Sequence, residues 1–95
     1  MMIAKEIANQ IGNKALYMIG AKQLVAGENF LMFKIGRNAK GVNKVKITLN
    51  SMDTYDVEFL SVRGVNCKLK SEERGIYNDM LRGAIERNTG LYTSL

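Results

Sequence analysis

The chain has no histidine, no proline and a single cysteine, Cys67, among its 95 residues. Without histidine there is no imidazole base for a nucleophilic triad, no imidazole metal ligand and no ordinary pH switch near neutrality. One thiol closes no internal disulfide and is too few for a sulfur-rich zinc site. No apolar run approaches the ~20 residues that a membrane-spanning helix needs. The opening Met1–Ile3 lacks the basic-then-apolar build of a secretory signal. Proline-rich and serine-rich linkers are missing too. The expectation is an intracellular soluble protein, cytoplasmic, without catalytic residues, metal or cofactor. What remains suits one domain spanning 1–95: 46% of residues are hydrophobic and 24% charged, and a chain this short can still bury about two-thirds of its unfolded surface.

Charge is where the sequence is lopsided. The net value of +5 comes from 14 Lys and Arg against 9 Asp and Glu. Residues 30–50 hold Lys34, Arg37, Lys40, Lys44 and Lys46 and no acid, which accounts for all of it; the remaining nine bases and nine acids cancel. A concentrated positive field attracts nucleic acid or an acidic protein surface. The alternative is a solvated loop with ordinary solubility lysines.

Periodicity predicts the elements. Ile3, Ile7 and Ile11 form a narrow helical stripe that Gly12 ends. Asn13 is placed to cap a second short helix over 14–19, and 21–26 reads as helix or turn. From Phe30 the period becomes two. Residues 30–35, 44–49 and 55–60 read as three half-buried strands of an antiparallel meander, and 67–70 as a short edge strand. Ser71 followed by Glu72 and Glu73 resembles a helix start, with Ile76, Tyr77, Met80, Leu81, Ala84 and Ile85 on the apolar face and Gly90 as the stop. Leu91–Leu95 is apolar enough to pack back on the core. The expected fold is α+β: α-β-β-β-α, a three- to four-stranded antiparallel meander packed against helices.

The apolar alternation also sets the register, because a slip of one residue turns every core side chain outward. Leu31 pairs with Ile47, Phe33 with Val45, Ile47 with Val57 and Leu49 with Tyr55. The opposite face then reads in rows: Phe30, Thr48, Asp56; Met32, Lys46, Glu58; Lys34, Lys44, Leu60. Lys46 and Glu58 form a cross-strand pair on this reading, whereas Lys34 and Lys44 face each other without an acid. Two candidate binding surfaces follow. One is basic: Lys34, Arg37, Lys40, Lys44 and Lys46. The other is an apolar strip of Phe30, Met32 and Leu60, unless residues 14–27 fold across it.

Other motifs are weaker. The glycines in Gly36–Gly41 have the spacing of a phosphate loop, but Val42 and Asn43 stand where its Lys and Ser/Thr belong, and an eight-residue hairpin loop explains them. Asp56 and Glu58 share a face while Asp53 sits in a turn, which its side chain is expected to cap; the trio is a poor metal site. Cys67 reads as a small strand-edge residue. Tyr17, Tyr77 and Tyr92 read as core fillers whose hydroxyls reach the rim.

The string Met18-Ile19-Gly20-Ala21-Lys22, the segments Ile47-Thr48-Leu49, Asp53-Thr54-Tyr55 and Val57-Glu58-Phe59, then Tyr77, and the closing Thr89-Gly90-Leu91-Tyr92-Thr93-Ser94-Leu95 resemble a widespread group of small phage, prophage and mobile-element proteins of unknown function. The likeness spans roughly Ile7 to Leu95. The group's Met-Thr-Gly-Ala-Lys has Ile19 in the threonine position here. The resemblance implies an accessory protein acting inside a bacterial host and supplies no reaction. The expected function is a non-enzymatic binder of a host protein or nucleoprotein complex, as anti-CRISPR proteins are. The alternative is direct DNA or RNA binding through the 34–46 hairpin. A homodimer and a carboxylate-dependent metal enzyme are further alternatives.

Overall fold

The computed structural model describes residues 2–93, so the expectation for Ser94 and Leu95 lies outside the described residues. Helix α1 (Met2–Ile11) and the short α2 (Asn13–Met18) lead into five strands: β1 (Lys22–Ala26), β2 (Phe30–Lys34), β3 (Lys44–Leu49), β4 (Tyr55–Arg63) and β5 (Asn66–Ile76). A single 3-10 turn, Asn78–Met80, precedes α3 (Leu81–Thr89). The strands form one antiparallel sheet in the order β1-β2-β3-β4-β5. The fold is α+β with helices packed against the sheet, and the sheet has more strands than the sequence suggests.

The three central strands pair in the register that the apolar alternation sets: Leu31 with Ile47, Phe33 with Val45, Ile47 with Val57, Leu49 with Tyr55. These side chains, together with Phe59, turn to one face and meet Ala4, Ile7 and Ile11 of α1, Ala15 of α2, and Leu81, Ala84 and Ile85 of α3. Phe33, Val45, Ile47, Val57, Phe59, Ile7 and Ile85 have no solvent exposure. Tyr55 is the tyrosine that fills this core; burial pushes its hydroxyl pKa up, Glu6 adds to the rise, and Gln10 opposes it. Tyr17, Tyr77 and Tyr92 are instead exposed. Each lies where the chain leaves the helix–sheet interface: on the outer side of α2, at the end of β5, and past α3.

Three local expectations change for physical reasons. Residues 22–26 are neither helix nor turn but the edge strand β1, which lies beside β2 and does not cover the sheet. All five of its residues are exposed, so no alternation of burial marks it, and a bulge at Gln23 (φ +54) interrupts its pairing. Ser71, Glu72 and Glu73 start no helix. Gly64, with φ +59, turns the chain straight back along β4, and ladder pairing then continues to Ile76. The polar groups that imitate a cap bond elsewhere: the Ser71 hydroxyl donates to Asn88 Oδ1 at 2.7 Å and Arg87 Nη2 donates to Glu73 Oε1 at 2.7 Å. Asn13 is the first residue of α2 and not its cap, since Gly12 (φ +94) occupies that position while ending α1. Gly90 does close α3, in the left-handed conformation at φ +77. Thr93 packs back as expected, its amide and hydroxyl both donating to Glu86 Oε2.

A candidate anion-binding pole built by two hairpins

Two hairpins meet at one end of the sheet. The first carries the loop 35–43 between β2 and β3. Asn38 braces it from within, its Nδ2 donating to the Gly36 carbonyl at 2.9 Å and the Val42 carbonyl at 2.6 Å, while its Oδ1 accepts from the Val42 amide at 3.2 Å. The Gly36 amide donates to the Ile19 carbonyl at 2.8 Å, which ties the loop to the end of α2. Gly20 allows that approach: a Cβ there would lie 3.2 Å from the Gly36 nitrogen.

The second hairpin is β4–β5. Its last ladder pairs, Ser61 with Lys68, Val62 with Cys67 and Arg63 with Asn66, run past the point where Lys44 at the start of β3 pairs with Leu60. The projecting ribbon ends at a fully exposed Val65. Asn43 joins the two hairpins: its Nδ2 donates to the Val62 carbonyl and its Oδ1 accepts from the Val62 amide, both at 2.8 Å. The side chain copies the donor–acceptor pair of one ladder residue.

This junction collects cations from distant parts of the sequence. Lys34 and Lys44 lie directly opposite each other, and Lys22 of β1 lies opposite Lys34, so three ammonium side chains share one row. Arg37 and Arg63 line one cleft, of about 400 Å³, between the loop and the ribbon. Lys40 lines another, of about 260 Å³, with Lys70, Ser71, Arg87 and Asn88. No acid among the described residues lines either cleft. Among the described residues the ion pairs are Arg74 with Asp56 and with Glu72, and Arg87 with Glu73; none involves Lys22, Lys34, Arg37, Lys40, Lys44, Arg63, Lys68 or Lys70. Glu73 is half-buried between β5 and α3 and accepts from Arg87 and Asn88, and the Arg87 hydrogen bond is the chief reason its carboxyl titrates below the usual glutamate range.

The five expected cations are therefore divided. Lys34 and Lys44 share a row, Arg37 and Lys40 line different clefts, and Lys46 stands apart. Lys46 is opposite Glu58 in register but forms no ion pair with it; its Nζ sits 4.7 Å from the centre of the Phe30 ring. Lys22, Arg63, Lys68 and Lys70 join the pole although charge counting set them against acids that lie elsewhere. The acid-free run from Phe59 to Ser71 is the sequence signal that marks three of them.

The apolar strip lies on the sheet face away from the core. Phe30, Met32 and Leu60 are half-buried there, with exposed Val25 opposite Met32 and exposed Leu69 opposite Leu60. The acids Asp56, Glu58 and Glu72 occupy the other end of that face beside Arg74. Asp53 stays outside this group, in a turn capped by Asn50 rather than by its own side chain; Asn50 Oδ1 accepts from the Met52 and Thr54 amides at 2.8 and 3.2 Å. Among the described residues, no three Cys, Asp or Glu side chains gather as they would around a metal ion. Cys67 is a free, exposed thiol on β5. No family model, curated protein or solved structure matches the chain.

Proposed function

We propose that the protein is a non-enzymatic binding protein whose cationic pole takes the phosphate backbone of a nucleic acid. The observation that supports this best is the junction of the two hairpins, where eight cations with no ion-pair partner among the described residues come from β1, β2, the 35–43 loop, β3, the β4–β5 ribbon and β5. Multivalent phosphate contact releases counterions, so affinity falls steeply with salt. In gel shifts with generic DNA and RNA at two salt concentrations, retardation at low salt that vanishes at high salt is expected. Each lysine removed from the Lys34–Lys44 row lowers the salt slope by about one. No retardation at low salt ends this reading.

A second reading is favoured by the open apolar strip beside the basic row. Here the partner is a host protein or nucleoprotein complex, and the chain is a mobile-element accessory protein that blocks a nucleic-acid defence system by occupying its surface. An interface of that kind buries about 800 Å² of this chain, and its centre is apolar. Phe30→Ala or Met32→Ala then costs more affinity than any single lysine change, measured on the partner recovered from a bacterial lysate. On the nucleic-acid reading the order is reversed.

A further inference from the structure

We infer that the cleft between Arg37 and Arg63 is a discrete site for a single phosphate group, built to hold it by paired guanidinium forks rather than by diffuse charge. The inference rests on reading this pole as an anion-binding surface and assigns the one place in it where an anion is gripped. Both arginines line the same cleft, of about 400 Å³, and neither has a carboxylate partner among the described residues. They come from different hairpins, yet their backbones are cross-braced. Asn38 fixes the loop immediately after Arg37, and Asn43 fixes Val62 immediately before Arg63 through reciprocal hydrogen bonds of 2.8 Å. A site whose mounting points are held in this way loses less freedom on binding than two free surface side chains do. The loop backbone also leaves donors at the cleft: of its lining residues, Gly36, Gly41, Val42 and Asn43 use their amides within the protein, whereas the amides of Arg37 and Asn38 have no partner among the described residues. Planar guanidinium groups fit phosphate oxygens in a bidentate manner that an ammonium cannot copy. The ligand is accordingly a phosphate, either a phosphodiester of a nucleic-acid strand or a free phosphate.

The other cationic cleft fits less well. Its Arg87 is already engaged by Glu73, and both Asn88 amide hydrogens and the Ser71 hydroxyl are spent on protein acceptors.

The test is a titration of the 15N-labelled protein with inorganic phosphate, against sodium chloride at matched ionic strength, followed by NMR. Saturable shifts confined to the Arg37 and Arg63 side-chain Nε–H signals and the 36–43 amides are expected with phosphate and not with chloride. Arg63→Lys and Arg37→Lys keep the charge and are each expected to weaken phosphate binding about tenfold, since the lost fork hydrogen bonds are charge-assisted. Lys5→Ala, an exposed change on α1 outside the pole, is expected to leave it within about twofold, because the long-range charge term is screened. Shifts scattered over the surface lysines, or phosphate binding by Arg37→Lys and Arg63→Lys like that of the unaltered protein, overturn the site. A titration with a short single-stranded oligonucleotide separates the two phosphate sources. If phosphate saturates the cleft and the oligonucleotide does not bind, the site stands and the nucleic-acid reading falls. If the oligonucleotide binds and Arg63→Lys has no effect on either ligand, the reading stands and the site falls.

Discussion

Asn43 shows how much a single amide side chain can organise. Its two bonds to Val62 replace a ladder step at the place where β3 has not yet begun and β4 is already running. Removing it leaves a part-buried carbonyl and amide to find water, a cost of about 1–3 kcal/mol. Asn43→Ala is therefore expected to lower the urea midpoint by a corresponding amount without changing the slope, and to loosen the 35–43 loop in hydrogen exchange. Glu73 does similar work between β5 and α3. Its carboxyl pKa is held low chiefly by the Arg87 hydrogen bond, with Asn88 helping and burial opposing. A carboxyl whose folded pKa lies below its unfolded value of about 4.3 stabilises the fold at higher pH. That contribution is lost as pH falls through the folded value. Glu73→Gln is expected to be less stable than the unaltered protein near neutrality and to lose less stability between about pH 5 and pH 3, measured by thermal denaturation at each pH.

At the scale of elements, the meander is legible in the sequence because the core-facing side chains of β2, β3 and the first half of β4 recur every second residue. A core on one side leaves one register even though Phe30 and Met32 make the other face of β2 apolar too. Phe59 stands fully buried in the middle of β4, and Phe59→Ala is expected to cost about 3–5 kcal/mol in chemical denaturation. The first and last strands are not legible for opposite reasons. β1 buries nothing, so nothing in its pattern speaks. In β5 the Ser-Glu-Glu run imitates the start of a helix, and pairing with β4 together with contacts from Arg87 and Asn88 outweighs that local preference. The candidate site was legible where its cations lie close in sequence, as Lys34 and Lys44 do. It was hidden where topology gathers them, as with Arg63 beside Arg37 and Lys22 beside Lys34. The Lys22–Lys34–Lys44 row also carries a cost: like charges directly opposite are unfavourable. Lys34→Glu is expected to raise stability by about 0.2–1 kcal/mol in urea denaturation and to weaken nucleic-acid binding in the same preparation. A loss of both would mean that the row is a structural feature.

For the molecule as a whole, charge is arranged along the open sheet face, cationic at the hairpin junction and acidic around Asp56, Glu58 and Glu72. Such a distribution orients the chain as it approaches a polyanion, and the association rate is expected to fall with ionic strength more steeply than the dissociation rate rises, read by stopped-flow mixing with labelled oligonucleotide. The two margins of the sheet are also unlike. β1 is short and broken by its bulge at Gln23, while β5 runs from Asn66 to Ile76 with no strand on its far side among the described residues. β5 is itself bulged twice, where its pairing with β4 shifts register between Tyr55 and Val57 and between Phe59 and Leu60. An isologous contact through one margin closes on itself, and a filament needs two margins that accept neighbours. Bulges break both margins, so neither presents the flat, regular edge that strand addition by a second copy needs, and growth by that route is disfavoured on either side.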